Sequence, residues 1–306
     1  MAWMRDLVFW LATKKSFTRP IARTGMRLGF AKRFIGGERL EDGLRVAAEL
    51  NSKGLLTMLN RLGENVTDRR AAEEAFESYR QILQELSKRA IDTSISIKPT
   101  QLGLDFAPEL CRELTERLVK EAAGLNNFVE IDMEGSSTTE ATVALFEAVR
   151  RQHQNCALAV QSYLYRSQND LERLQPLRPK IRLVKGAYRE PPTVAFPQKR
   201  QVDENYRRLM RMLFANGFLP AIATHDDKMI ELAKQIGREQ GAPPEGWEFQ
   251  MIFGVRRDLQ EQLVREGYRM RVYIPFGTEW LPYFMRRLAE RPANLWFILK
   301  SLAKSG

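Results

Sequence analysis

Two adjacent arginines, Arg286 and Arg287, follow Tyr283 by three and four residues on a stretch with helical spacing. Side chains three apart share a helix face, so Tyr283 and Arg286 point the same way. Adjacent guanidiniums repel, and such a pair is often kept to hold an anion, a carboxylate or phosphate suiting their fork geometry. Two solvated helix charges would give the same sequence. Lys98 and Lys185 end β-rich runs, where a lysine can bind an anion or serve as a Schiff-base nucleophile. Arg182 lies three positions before Lys185, so period-two alternation puts the two on opposite faces unless the strand end twists or bulges. The sequence leaves open whether Arg182 lines a pocket or is a solvated charge. The two histidines, His153 and His225, and two distant cysteines, Cys111 and Cys156, follow no metal-ligand spacing, so no metal is expected. Thiol usage this sparse indicates a reducing, cytoplasmic compartment.

The elements that must carry these residues alternate. Short β-rich runs at 55–59, 93–98, 128–133, 157–161, 181–185, 220–224, 247–252 and 269–274 are separated by helical patterns at 68–89, 107–123, 138–152, 203–216, 226–240 and 257–266. A shorter helix is expected near 167–175, and 280–302 reads as two helices divided near Pro292. Eight strands each followed by a helix predict an α/β fold, a (β/α)8 TIM-type barrel. The competing doubly wound sheet lacks support, because no G-x-G-x-x-G or phosphate-loop motif follows any run. Chemistry in such barrels gathers at the C-terminal rim of the strands. Here the runs end in Lys98, Asp132, Gln161, Lys185, Thr224 with His225, Gln250 and Tyr273, which predicts a polar active-site mouth.

The chain has 306 residues and a formal charge of +10. Residues 1–39 hold nine basic residues against Asp6 and Glu38, a net of +7, so the body is near neutral and no nucleic-acid-binding face is expected. Trp3, Met4, Leu7, Val8, Trp10 and Leu11 lie mostly on one helical face. Residues 1–50 are therefore expected to form a basic amphipathic helical arm ahead of a barrel at 51–306. The arm either packs on its own domain or a neighbouring subunit, or lies on an anionic membrane surface. A signal peptide is disfavoured because Lys14 and Lys15 follow the apolar stretch, and no stretch is long enough to span a bilayer.

Taken together, the motifs resemble the monofunctional proline dehydrogenases of bacteria. The resemblance rests on Ser96-Ile97-Lys98-Pro99-Thr100-Gln101-Leu102-Gly103, Glu130-Ile131-Asp132-Met133-Glu134 and Gln161-Ser162-Tyr163-Leu164. It continues through Arg182-Leu183-Val184-Lys185-Gly186-Ala187-Tyr188, Ala223-Thr224-His225-Asp226, Phe249-Gln250-Met251-Ile252-Phe253-Gly254-Val255 and Tyr273-Ile274-Pro275-Phe276-Gly277, then Trp280, Tyr283, Arg286, Arg287 and Glu290. Phe276 departs from a position where the family often has tyrosine.

The resemblance implies a flavin-dependent barrel that passes a hydride from C5 of L-proline to N5 of FAD, giving Δ1-pyrroline-5-carboxylate, with a quinone reoxidising the flavin. It implies catalytic roles for Asp132 and Arg182, and substrate contacts from Lys98, Tyr273, Tyr283, Arg286 and Arg287. On the cofactor side it places Met133, Gln161, Arg182, Lys185, Gly186, Ala187, Tyr188, Thr224, His225 and Glu290, the last also steadying the arginine pair. The quinone would give the basic arm a membrane to meet, at the inner face. The product's next oxidation would fall to pyrroline-5-carboxylate dehydrogenase on another chain. The alternatives are a Schiff-base aldolase using Lys98 or Lys185, another flavin barrel such as a methylenetetrahydrofolate reductase, and a basic surface-binding module.

Overall fold

The structure is a computed structural model that describes residues 33–281 together with Tyr283. Eight parallel strands close into a barrel in sequence order. They are β1 (Leu56–Arg61), β2 (Thr93–Ile97), β3 (Val129–Ile131), β4 (Cys156–Gln161), β5 (Lys180–Val184), β6 (Leu219–Ala223), β7 (Glu248–Ile252) and β8 (Arg269–Phe276). Closure is made by β1 and β8, paired from Leu56 with Arg271 through Arg61 with Phe276. An open doubly wound sheet is thereby excluded. The shell comprises α1 (Leu40–Asn51), ahead of β1, then α2 (Arg69–Lys88), α3 (Pro108–Gly124), α4 (Thr139–Gln152), α5 (Ser167–Leu174), α6 (Lys199–Ala215), α7 (Asp227–Glu239) and α8 (Arg257–Arg265).

Local chemistry explains the starts of these helices. Asp68 caps α2 by accepting from the Ala71 amide at 2.9 Å, and Asp226 caps α7 by accepting from the Lys228 amide at 3.1 Å. A side-chain oxygen at this position satisfies an amide that the first helical turn leaves unpaired. Pro108 opens α3, where its missing amide hydrogen costs nothing. Buried Ala72, Phe76, Tyr79, Ile82, Leu83 and Leu86 recur at intervals of three and four along α2, presenting one apolar stripe to the sheet.

The apolar core lies between sheet and helices. Ile95 and Ile97, Val129 and Ile131, Leu158 and Val160, and Ile181 and Leu183 are fully buried alternate residues of their strands. The intervening positions point inward and are polar to an unusual degree, where barrel interiors are more often filled by Val, Ile and Leu. At one level, Arg271 donates to Glu248 through Nε at 2.9 Å and through Nη2 at 3.2 Å, and Lys180 Nζ lies 2.7 Å from Glu248 Oε1. Lys180 and Arg271 outweigh burial and hold the Glu248 carboxyl far below its ordinary range.

Helix α1 falls within the segment assigned to the arm, yet it is seated on the barrel. Leu44 and Ala47 are buried, and a side chain added at Gly43 would meet Leu59 and Phe276 within 3.3 Å. The Gly36 amide donates to Pro275 O at 2.8 Å. Residues 1–32, and with them the aromatic and basic face of the arm, lie outside the described residues. So does 284–306, with the division near Pro292.

Candidate active site

Asp132 is the centre of the barrel mouth. The β3 ladder ends at Ile131, one residue before it, and the chain turns its carboxylate among four donors. Lys98 Nζ donates to Oδ2 at 2.7 Å, the Tyr273 hydroxyl to Oδ2 at 2.9 Å, Ser96 Oγ to Oδ1 at 2.7 Å, and Arg182 Nη2 also to Oδ1. Asp132, Lys98 and Arg182 are each 7% exposed or less. Burial disfavours the Asp132 carboxylate, but Lys98 and Arg182 outweigh it and hold the carboxyl well below its usual range. Reciprocally, burial opposes the Lys98 ammonium and the Asp132 charge overcomes it, so Lys98 stays protonated far above pH 7. That removes Lys98 as a Schiff-base nucleophile, which requires a lowered lysine pKa. Tyr273 is held protonated by burial and then by Asp132.

Arg182 is not solvated. Its Nη1 lies 2.8 Å from Glu130 Oε1, and its guanidinium carbon sits 5.1 Å from the centre of the Tyr273 ring. Lys185 goes the other way, as alternation predicts. Its Nζ lies 2.6 Å from Asp203 Oδ1 on α6 and 3.2 Å from Asp226 Oδ2 at the cap of α7.

Four successive rim loops are tied together. Glu134 accepts from the Thr100 amide at 2.9 Å and Thr100 Oγ1 at 2.7 Å. Gln161 Nε2 donates to Glu134 O at 2.8 Å while its Oε1 accepts from the Ala187 amide at 3.3 Å. Burial pushes the Glu134 carboxyl up to about 7. Gly186, between Lys185 and Ala187, has φ +124°, and a side chain there would lie 2.5 Å from the Tyr163 ring. Only glycine suits that backbone.

Of the remaining expected residues, Met133 is buried beside Asp132, and the Tyr188 hydroxyl donates to Glu64 Oε1 at 3.4 Å. Thr224 Oγ1 accepts from the Asp226 amide at 3.2 Å, and His225 Nε2 accepts from the Ile252 amide at 3.0 Å. Tyr283 is buried. Arg286, Arg287 and Glu290 lie outside the described residues. The structure therefore gathers Lys98, Asp132, Arg182 and Tyr273 into one cluster, and Gln161, Gly186 and Ala187 into the tied rim.

Two acids had no role assigned from sequence, Glu130 and Glu134. Their signal was available, since Glu130, Asp132 and Glu134 alternate through an otherwise apolar run. The same i, i+2 spacing of polar residues recurs in Lys180 with Arg182, Glu248 with Gln250, and Arg271 with Tyr273.

A closed parallel barrel with a buried, charge-balanced cluster at its mouth defines a TIM-barrel enzyme. The proline dehydrogenase family matches residues 44–300, and the chain belongs to that family of oxidoreductases. It is 40% identical to proline dehydrogenase 2 of Bacillus subtilis (strain 168) over 301 residues, covering 98% of this chain and 99% of that protein. With proline dehydrogenase of Deinococcus radiodurans it shares 36% over 279 residues, 90% of each chain. Among solved structures, proline utilization A from Bdellovibrio bacteriovorus, inactivated by N-propargylglycine, superposes with a TM-score of 0.80 at 24% identity. That match covers 85% of this chain and 32% of the larger protein, and it shows the same fold.

Proposed function

We propose that the chain oxidises L-proline to Δ1-pyrroline-5-carboxylate with FAD as its cofactor and a quinone as the final acceptor. The observation that carries this reading is the buried cluster Lys98–Asp132–Arg182–Tyr273 at the barrel mouth, its two cations balanced by Asp132 and the adjoining Glu130. FAD, when bound, supplies the two-electron acceptor that takes the hydride from C5 of proline at its N5. The residues present fit such a group. Arg182 Nε and Gln250 Oε1 are buried without a hydrogen-bond partner among the described residues, a donor and an acceptor left for a flat, polar-edged ligand. In this reading Met133, Gln161, Arg182, Lys185, Gly186, Ala187, Tyr188, Thr224 and His225 hold the cofactor, with Glu290 steadying the arginine pair.

The substrate carboxylate is held by Arg286, Arg287 and Lys98. An ammonium has three donors; Asp132 takes one, and Glu64 stands 4.0 Å off, so Lys98 retains capacity for an anion. Tyr273 and Tyr283 wall the ring. Fixing the distant carboxylate brings C5 into the narrow range over which hydride transfer proceeds. Asp132 is a poor proton acceptor, because two cations stabilise its ionised form and four donors occupy it. Its work is to orient Lys98 and Arg182, and the proton of the proline nitrogen leaves to water. The charge of Lys185 is shared with Asp203 and Asp226.

The membrane-facing part of the arm is residues 1–32, which touch the cytoplasmic face of a membrane where the quinone resides, while α1 and the turn before it pack on the catalytic barrel. No helix among the described residues is long and apolar enough to cross a membrane. The next oxidation of the product occurs on a separate pyrroline-5-carboxylate dehydrogenase. The test is an absorbance spectrum of the purified protein before and after anaerobic L-proline. Flavin bands that bleach support the reading; bands that persist remove proline as substrate, and a colourless protein after FAD reconstitution removes the cofactor.

A further inference from the structure

We propose that Glu130 is a positioning residue that holds the Arg182 guanidinium in place at the flavin face. The inference rests on the function proposed above. Glu130 and Asp132 occupy successive inward positions of β3 and its end, and Arg182 spans them, with Nη1 on Glu130 at 2.8 Å and Nη2 on Asp132. Asp132 alone cannot hold the guanidinium in one orientation, because Lys98, Ser96 and Tyr273 compete for its oxygens. Glu130 Oε1, which faces Nη1, takes no hydrogen bond from any other group among the described residues. The residue is fully buried, and its other oxygen accepts from Gln250 Nε2 at 3.2 Å. Gln250 is itself held by a second bond to Glu248 at 2.8 Å, and Glu248 is neutralised by Lys180 and Arg271. The guanidinium is thus held at two corners by carboxylates, Nη2 through a hydrogen bond to Asp132 and Nη1 through a 2.8 Å ion contact with Glu130 that lacks hydrogen-bond geometry, and Nε remains a donor without a partner among the described residues. A planar fork with fixed corners aims its remaining N–H in one direction, which a flexible cation cannot do.

Charge follows the same geometry. Lys98 and Arg182 against Glu130 and Asp132 make a neutral quartet, and loss of the Glu130 charge leaves it at +1 beside the cofactor. Removing a negative charge favours the reduced flavin and raises its potential.

The holoenzymes of E130A, E130Q and E130D are compared with the wild type for kcat, KM for proline and the midpoint potential of the bound flavin. E130A is expected to lower kcat about tenfold with KM unchanged within about twofold, since the carboxylate clamp is elsewhere. E130Q keeps an oxygen for Nη1 and recovers kcat to within about threefold of wild type. Both raise the potential by an amount equal to about a tenfold change in the two-electron equilibrium, about 30 mV. E130D keeps the charge but withdraws it by one methylene, so it loses kcat with the potential unchanged, and it stands in for E130A should that variant not fold. Wild-type kcat and potential in E130A, or E130Q as slow as E130A, would overturn the proposal. A wild-type protein whose flavin is not bleached by proline would instead overturn the functional reading.

Discussion

Replacing Asp132 by asparagine tests whether the barrel mouth is organised around one ionised hub. The carboxylate accepts from Lys98, Arg182, Ser96 and Tyr273; a carboxamide keeps one oxygen and points an NH2 at groups that are themselves donors. Lys98 is left buried with only Glu64 at 4.0 Å, whereas Arg182 retains Glu130. Breaking a buried ion pair from one side costs about 3–5 kcal/mol, and the retained Glu130 puts this case at the lower end, about 3 kcal/mol. The measurement is urea denaturation of the holoenzyme. Adding Lys98→Met removes the charge that the carboxamide leaves unmet, so the double variant should recover stability through a coupling of about 1–3 kcal/mol. The pH dependence has a defined sign. The Asp132 pKa is depressed in the native state from an ordinary 3.8, so its contribution is fully present above that value and is lost as pH falls through the native one. The gap between wild type and variant should therefore be constant from about pH 5 to 8 and narrow only in stronger acid. A variant within about 0.5 kcal/mol of wild type, or an additive cycle, would refute the hub.

Two further predictions concern the rim and the arm. Glu134 is the opposite case: its native pKa is about 7 against an ordinary 4.5, so its contribution is fully present below 4.5 and lost as pH rises through 7, in all about 3 kcal/mol. Glu134→Gln imitates the neutral acid and should flatten the dependence of Tm on pH between about 5 and 8; an unaltered slope would place the titration elsewhere. Deleting residues 1–32 should reduce binding to anionic liposomes while dye-linked proline oxidation is retained, and unchanged binding would remove the membrane role. A cut at residue 39 would be a poor version of this test, since it also takes away buried Ile35 and the bond from Gly36 to Pro275.

Strand number and order were legible because each buried strand is a short apolar run bounded by turn residues, and the eighth run leaves no edge unpaired. Boundaries drifted where tertiary pairing decides them. β1 extends to Arg61 because β8 pairs with it along its whole length, while the third run stops pairing at Ile131 so that Asp132 can face Lys98. Helix α6 begins at Lys199 rather than 203, since its first turn needs no apolar residue to form. Among site residues, Lys98, Asp132 and Tyr273 were visible as polar ends of apolar runs. Glu130 showed only as the first of three alternating acids, and an acid inside a strand reads as a solvated alternate until barrel closure turns that face inward. The two carboxylates that take Lys185 were hidden, lying on later helices that only the closed shell brings alongside.

The charged lining also bears on how the strands find their register. In a parallel strand buried on both sides, a slip of one residue exchanges one apolar face for another at modest cost. Here the same slip in β3 would drive Glu130 into the layer now filled by Val129 and Ile131, away from Arg182 and against the helices. In β5 it would do so to Lys180 and Arg182 together, and in β8 to Arg271. Each misaligned strand would leave a full charge in hydrocarbon, which costs several kcal/mol per ion. The lumen therefore acts as a ratchet on assembly, tolerating one alignment and penalising its nearest neighbours far more than an aliphatic lining could.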